Sequence, residues 1–213
     1  AFGDLLPLGG IQRGATVCTT GCAATSLALA LAGPATVAGS WCAVVGLGDV
    51  GLLAAAELGL ALERTLLIAE PGPQEWASAV AALLDAVEVV LVRPAQRITP
   101  TTQRRLLARA RDRGSVLIQA GGTVEVWAHQ PDLLLTSETP HWVGLGSGHG
   151  RLRGRRLTVS VAGRRGAAQA RRGSLWLPGP DGKIARVQTP APTSASAAGP
   201  GSVPASAVVT LRD

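Results

Sequence analysis

Gly14-Ala-Thr-Val-Cys-Thr-Thr-Gly-Cys-Ala-Ala-Thr-Ser-Leu-Ala-Leu-Ala-Leu-Ala32 is the stretch from which the rest of the chain can be read. Ala15–Thr19 has the length of a short strand, with Val17 at its centre. Gly21 marks a turn, and Ala24–Ala32 reads as an Ala/Leu helix closed by the stop signal Gly33-Pro34. Strand, glycine turn and helix in this order are the frame of a phosphate-binding loop. A working loop has the spacing G-x-x-x-x-G-K-[ST]. Its glycines let backbone N–H groups approach the phosphates, the Lys reaches the β/γ-phosphates, and the hydroxyl meets Mg²⁺. Here Gly21 and the hydroxyls of Thr25 and Ser26 remain, with no second glycine, and the chain's sole lysine is Lys183. The frame of a nucleotide site is present without its chemistry.

Outward from this stretch, strands and helices alternate. Trp41–Val45 is an apolar run of strand length. Val50–Gly59 is helical, with Leu52, Leu53, Ala56 and Leu60 on one face. Thr65–Ala69 is a third strand. Pro73–Ala86 is the clearest helix, carrying Trp76, Val80, Leu83 and Leu84 at helical spacing. Val87–Val92 is almost wholly apolar, as a strand buried on both faces should be. Thr101–Arg113 is a basic helix with Leu106, Leu107 and Ala110 inward, ended by Gly114. Ser115–Ala120 is a fifth strand. This alternation predicts an α/β fold with a mostly parallel central sheet flanked by helices. After Gly121-Gly122 the pattern changes to short strands at Leu133–Thr136, Trp142–Leu145, Leu157–Val161 and Leu175–Leu177, an antiparallel C-terminal extension of the sheet. Residues 1–180 form the expected domain. Residues 181–213 form an expected disordered tail, rich in Pro, Ala and Ser and uncharged from Thr189 to Ser206.

Composition bounds the chemistry. Hydrophobic residues make up 46% of the 213, so a sizeable core is expected, and with 3% aromatics it must be built from Ala, Leu and Val. The formal charge of +6 is carried almost entirely by arginine, the better fork for phosphate and carboxylate. Cys18, Cys22 and Cys42 show no metal-ligand spacing and read as small buried apolar residues in a reducing compartment. His129, His141 and His149 lack ligand spacing as well, so neither a metal nor another cofactor is expected. Asp4 and Pro7 break any signal-peptide pattern at the start, and the apolar windows are too interrupted for a membrane span. A soluble, cytoplasmic protein with no membrane partner is the expectation.

The order of elements from Leu6 to Leu177 resembles the RecA core. In RecA-type ATPases a carboxylate follows the strand matching Trp41–Val45; here the turn reads Gly46-Leu47-Gly48, and Asp49 comes one or two positions late. The Walker B strand should end in an Asp that holds Mg²⁺; here Val92 is followed by Arg93. A cation there repels the metal by on the order of several kcal/mol at ~4 Å in a medium of intermediate dielectric. Gly21, Thr25, Ser26, Gly48, Asp49 and Arg93 thus outline a degenerate nucleotide site, and a pseudo-ATPase with no catalytic residue is expected. The segments matching RecA's mobile DNA-binding loops, Arg93–Thr101 and Gly121–Pro131, are short.

A short, degenerate RecA-like chain with this Arg-rich ending is similar to ImuA, the RecA-like member of the bacterial inducible-mutagenesis cassette, in its actinobacterial form. That resemblance implies a non-catalytic accessory factor in damage-induced translesion synthesis, part of the SOS response and associated with the nucleoid on DNA damage. It implies a Y-family-like polymerase adaptor of the ImuB type as partner, and through it an error-prone C-family DNA polymerase. Two alternatives stay open: a SulA-like cell-division inhibitor, and a RecA-like ATPase whose noncanonical site uses Asp49. The candidate surface for DNA or a partner is the run Arg151, Arg153, Arg155, Arg156, Arg164, Arg165, Arg171 and Arg172, with no acidic residue from Thr139 to Pro180. Arg104, Arg105, Arg109, Arg111 and Arg113 make a second basic stripe, against the plainer reading of a solvated helix face.

Overall fold

The computed structural model describes residues 2–121, 129–145, 149–164 and 169–187. Its elements in chain order are β1 (Thr16–Gly21), α1 (Ala24–Val37), β2 (Cys42–Val45), α2 (Leu52–Glu57), β3 (Thr65–Ile68), α3 (Trp76–Ala86) and β4 (Val89–Val92). They continue with α4 (Pro100–Arg113), β5 (Val116–Ala120), β6 (Leu133–Leu145), β7 (Gly150–Gly163), β8 (Arg171–Trp176) and β9 (Ala185–Arg186). The strands form one sheet in the order β3-β2-β4-β5-β1-β6-β7-β8-β9.

Every neighbouring pair from β3 through β6 is parallel, and β7, β8 and β9 pair antiparallel. The expected fold class therefore stands, with one change inside it. The two short antiparallel strands read at Leu133–Thr136 and Trp142–Leu145 are a single strand, β6, and it runs parallel to β1. Its pairing with β7 is irregular between Glu138 and His141, where Thr139 adopts φ 51° beside Pro140. That local break interrupts the sequence pattern without ending the strand.

Strand alternation divides the core between two faces. Val17, Val44, Leu91 and Ile118 pack under α1 and α2; Ala43, Val45, Val90 and Leu117 pack under α3 and α4. β4 lies between β2 and β5 with all four residues buried, which is why it reads as an unbroken apolar run. In β7 Leu157, Val159 and Val161 are buried, as is Gly154 nearer its start, and Thr158 and Ser160 are half-buried between the buried apolar residues. This half of the sheet keeps one face toward the core.

Two helices differ from expectation. α1 continues through Gly33-Pro34 to Val37. Gly33 backs onto the turn at Gly59, where a Cβ would meet the Gly59 carbonyl carbon and oxygen at 2.9 and 2.8 Å. Here glycine permits close packing, and burial of Leu27–Ala32 on the sheet outweighs the stop signal. α2 is shorter than read and buries Ala55, followed by Leu58 and Leu60; Leu52 and Leu53 are 46% and 74% exposed. Beyond the boundary drawn at 180, the sheet gains β9 and Val187 donates to the Ser174 carbonyl. Residues 188–213 of the expected tail, with Trp127 and Arg165, lie outside the described residues.

Candidate functional site

The ends of β1, β2 and β4 point to one edge of the sheet, the edge where parallel α/β sheets bind ligands. β1 meets α1 through Cys22 and Ala23 alone, too few residues for the four-residue arc of a phosphate loop. Gly21 sits at φ 87°, and a Cβ there would lie 2.0 Å from the Ser137 carbonyl oxygen. Ser137 belongs to β6 and closes the turn from the side. The Cys22 N–H donates to the Ser137 carbonyl at 3.3 Å, and the Ala23 N–H donates to Ser137 Oγ at 2.8 Å. The Ser137 hydroxyl itself donates to the Thr20 carbonyl at 3.0 Å. Amides that a phosphate loop would offer to its ligand are held here by a serine.

Beside this turn lies Arg155 of β7. Its Nη2 donates to Ser26 Oγ at 3.0 Å and its Nε to the Leu177 carbonyl at 2.9 Å. The guanidinium stacks on Trp142 with its centre 5.1 Å from the ring. Burial draws the Arg155 pKa below its ordinary value, and the neighbouring Cys22 thiol opposes that shift. Ser26 is thus engaged from across the sheet, and Thr25 is half-buried in the same helical turn. Cys22 is exposed, contrary to its reading as a core residue; Cys18 and Cys42 are buried. Burial pushes their thiols up to about 11 and about 12.

The remaining members of the outlined site lie two and three strands away, after β4 and β2, since β5 separates β4 from β1 and β2 lies beyond β4. Arg93 follows β4 and forms an ion pair with Asp49, beyond β2. The Arg93 hydrogen bond holds Asp49's carboxyl below the usual carboxylate range. Gly48 is exposed in the same turn. Gly46, at φ 73°, donates to the Ile68 carbonyl, and Glu70 closes over it while accepting from the Ala95 N–H at 3.3 Å. Gly21 and Ser26 therefore form one cluster with Arg155, and Asp49 and Arg93 form another. Sequence spacing had paired Arg155 with its neighbours in the arginine run; only the sheet register brings it to α1.

That arginine run is dispersed. Arg171 donates to the Asp4 and Leu6 carbonyls, and Arg172 pairs with Glu138 at 2.9 Å. Arg164 lies at the far end of β7, where its backbone N–H meets the Asp132 carbonyl. Arg151, Arg153 and Arg156 are exposed near the beginning of β7. The α4 stripe is also divided: Arg109 and Arg113 both hold Asp85 of α3, a joint between helices, and Arg104, Arg105 and Arg111 face solvent. Among the described residues no group of His, Cys, Asp and Glu could hold a metal ion, and no helix is long and apolar enough to cross a membrane.

Residues 4–128 match the family described as the MT3502 N-terminal domain. The chain belongs to that family. A relative in Mycobacterium tuberculosis, the uncharacterized protein Rv3395c, is 35% identical over 171 residues, covering 76% of this chain and 81% of its own. Among solved structures, the crystal structure of the RadB recombinase superposes with a TM-score of 0.59 at 16% identity, over 84% of this chain and 94% of that one. At that identity the likeness concerns the fold, which is RecA-like. This chain thus joins a RecA-like sheet to a β1–α1 turn closed by its own side chains.

Proposed function

We propose that this chain is a non-catalytic, RecA-like accessory factor of damage-induced translesion synthesis, of the ImuA type. In this role it binds a Y-family-like, ImuB-type adaptor and through it an error-prone C-family polymerase, and it joins the nucleoid after damage. The observation that carries the non-catalytic reading is the β1–α1 turn, two residues long, with its N–H groups on Ser137 and Arg155 beside it. The Asp49–Arg93 ion pair supports it, because a carboxylate held by a cation is a poor base for activating water. The RecA-like fold and the positions lost from the nucleotide site support the assignment to the damage-tolerance class.

Titration with a fluorescent ATP analogue in the presence of Mg²⁺ tests the first half; no saturable signal is expected, and tight Mg²⁺-dependent binding refutes it. Affinity capture from damaged cells tests the second. Recovery of the adaptor and polymerase is expected, whereas recovery of a tubulin-like division GTPase in their place favours the SulA-like alternative.

A further inference from the structure

β6 and β7 outgrow the sheet that carries them. β6 loses its partner on β1 after Ser137. β7 has no partner on β8 before Arg156; at Arg155 its backbone bonds to Leu177 and Pro178 instead. Trp142–Leu145 and Gly150–Gly154 therefore stand as a two-stranded ribbon beyond the edge where the parallel strands end. A bare ribbon is marginal in water. This one is braced at its base by the Arg155–Trp142 stack and by Gly154, which packs so closely on Pro180 that a Cβ would lie 2.9 Å from its nitrogen.

The ribbon's surface combines two kinds of group. Arg151 and Arg153, with Arg156 at the base, are exposed and have no side-chain partner among the described residues. Lys183 is exposed in the turn packed on Gly154, and the one acid in that turn, Asp181, accepts from the Lys183 backbone N–H. On the same two strands, Trp142, Leu145 and Leu152 are 42%, 64% and 50% exposed. Cations beside exposed apolar and aromatic groups match a strand that presents phosphates and unstacked bases together. A duplex hides its bases. Side chains two residues apart on a strand, as Arg151 and Arg153 are, lie about 7 Å apart, comparable to successive phosphates of an extended single strand, and the guanidinium fork fits phosphate.

We infer that this ribbon is a binding surface for single-stranded DNA. The choice of DNA over RNA rests on the proposed role at damaged templates; the rest stands on the ribbon alone. The test is fluorescence anisotropy of the full chain with a labelled single-stranded DNA oligonucleotide between about 50 and 200 mM salt. For the triple variant Arg151→Ala/Arg153→Ala/Arg156→Ala, the slope of log affinity against log salt should fall by about 2, with affinity at the lower salt reduced at least tenfold. The charge-matched control Arg104→Ala/Arg105→Ala/Arg111→Ala, on α4, should bind like the parent. All six positions are exposed, and unchanged circular dichroism confirms the fold of both variants. Equal loss in the control, no loss in the triple variant, or tighter binding to duplex or to RNA of the same sequence overturns the inference. No adaptor is present in this assay, so failed capture of the adaptor with DNA binding intact counts against the proposed function alone.

Discussion

Ser137 and Arg155 do at the β1–α1 turn what a ligand does in a phosphate loop: they satisfy its polar groups. Replacing Ser137 by Ala leaves the Ala23 N–H without its acceptor, and a loss of about 1–2 kcal/mol in denaturant unfolding is expected. Arg155→Ala should cost about 2 kcal/mol, since it removes two hydrogen bonds and the stack on Trp142. Arg155→Lys should recover only part of that, because an ammonium cannot supply the same fork. An Arg155→Ala chain as stable as the parent would remove Arg155 from any architectural role. The cysteines offer a second check. Cys22 is exposed, whereas Cys18 and Cys42 are buried with raised pKa values. An alkylating reagent near pH 8 should modify Cys22 alone in the native chain and the other two only on unfolding. Mass spectrometry of the modified peptides reads the result.

Between elements, the α3–α4 joint gives a prediction with a definite sign. Hydrogen bonds from Arg109 and then Arg113 depress Asp85 to about 2, below the ~3.9 of an unfolded aspartate. The stabilisation is therefore complete above about pH 4 and is lost as pH falls through about 2. Asp85→Asn should be less stable than the parent at neutral pH, and the gap should close on acidification through that window. A gap that stays constant from neutral pH to below about 2 would mean that the carboxylate charge contributes nothing. The Gly33–Gly59 crossing predicts that Gly33→Ala forces α1 off the turn after α2 and lowers the melting temperature, although alanine is the better helix former.

At the scale of the whole molecule, the boundary of the fold is open to test. A chain ending at Val187 keeps β9, the Val187–Ser174 hydrogen bond and the Arg186–Asp4 ion pair. Ending it at Pro180 removes all three, and a loss of about 1–2 kcal/mol is expected. Equal stability of the two truncations would restore the boundary at 180 that composition suggests.

The RecA-like α/β frame was legible in the chain because buried parallel strands such as Val89–Val92 and the one-sided helices Trp76–Ala86 and Pro100–Arg113 write their packing into local periodicity. The missing lysine and the arginine after Val92 were equally plain, being matters of residue type at a spacing. Pairing across the sheet decided the rest. Ser137 lies far from Gly21 in the chain, and Arg155 far from Ser26, so no local pattern announces either contact. Only the parallel register of β1 with β6 and the antiparallel return of β7 bring them together. The same pairing scatters a contiguous run of arginines, because residues along one strand reach both faces and both ends of a sheet. Local sequence specifies which elements form; the hydrogen-bonded register between distant strands specifies which side chains share a site.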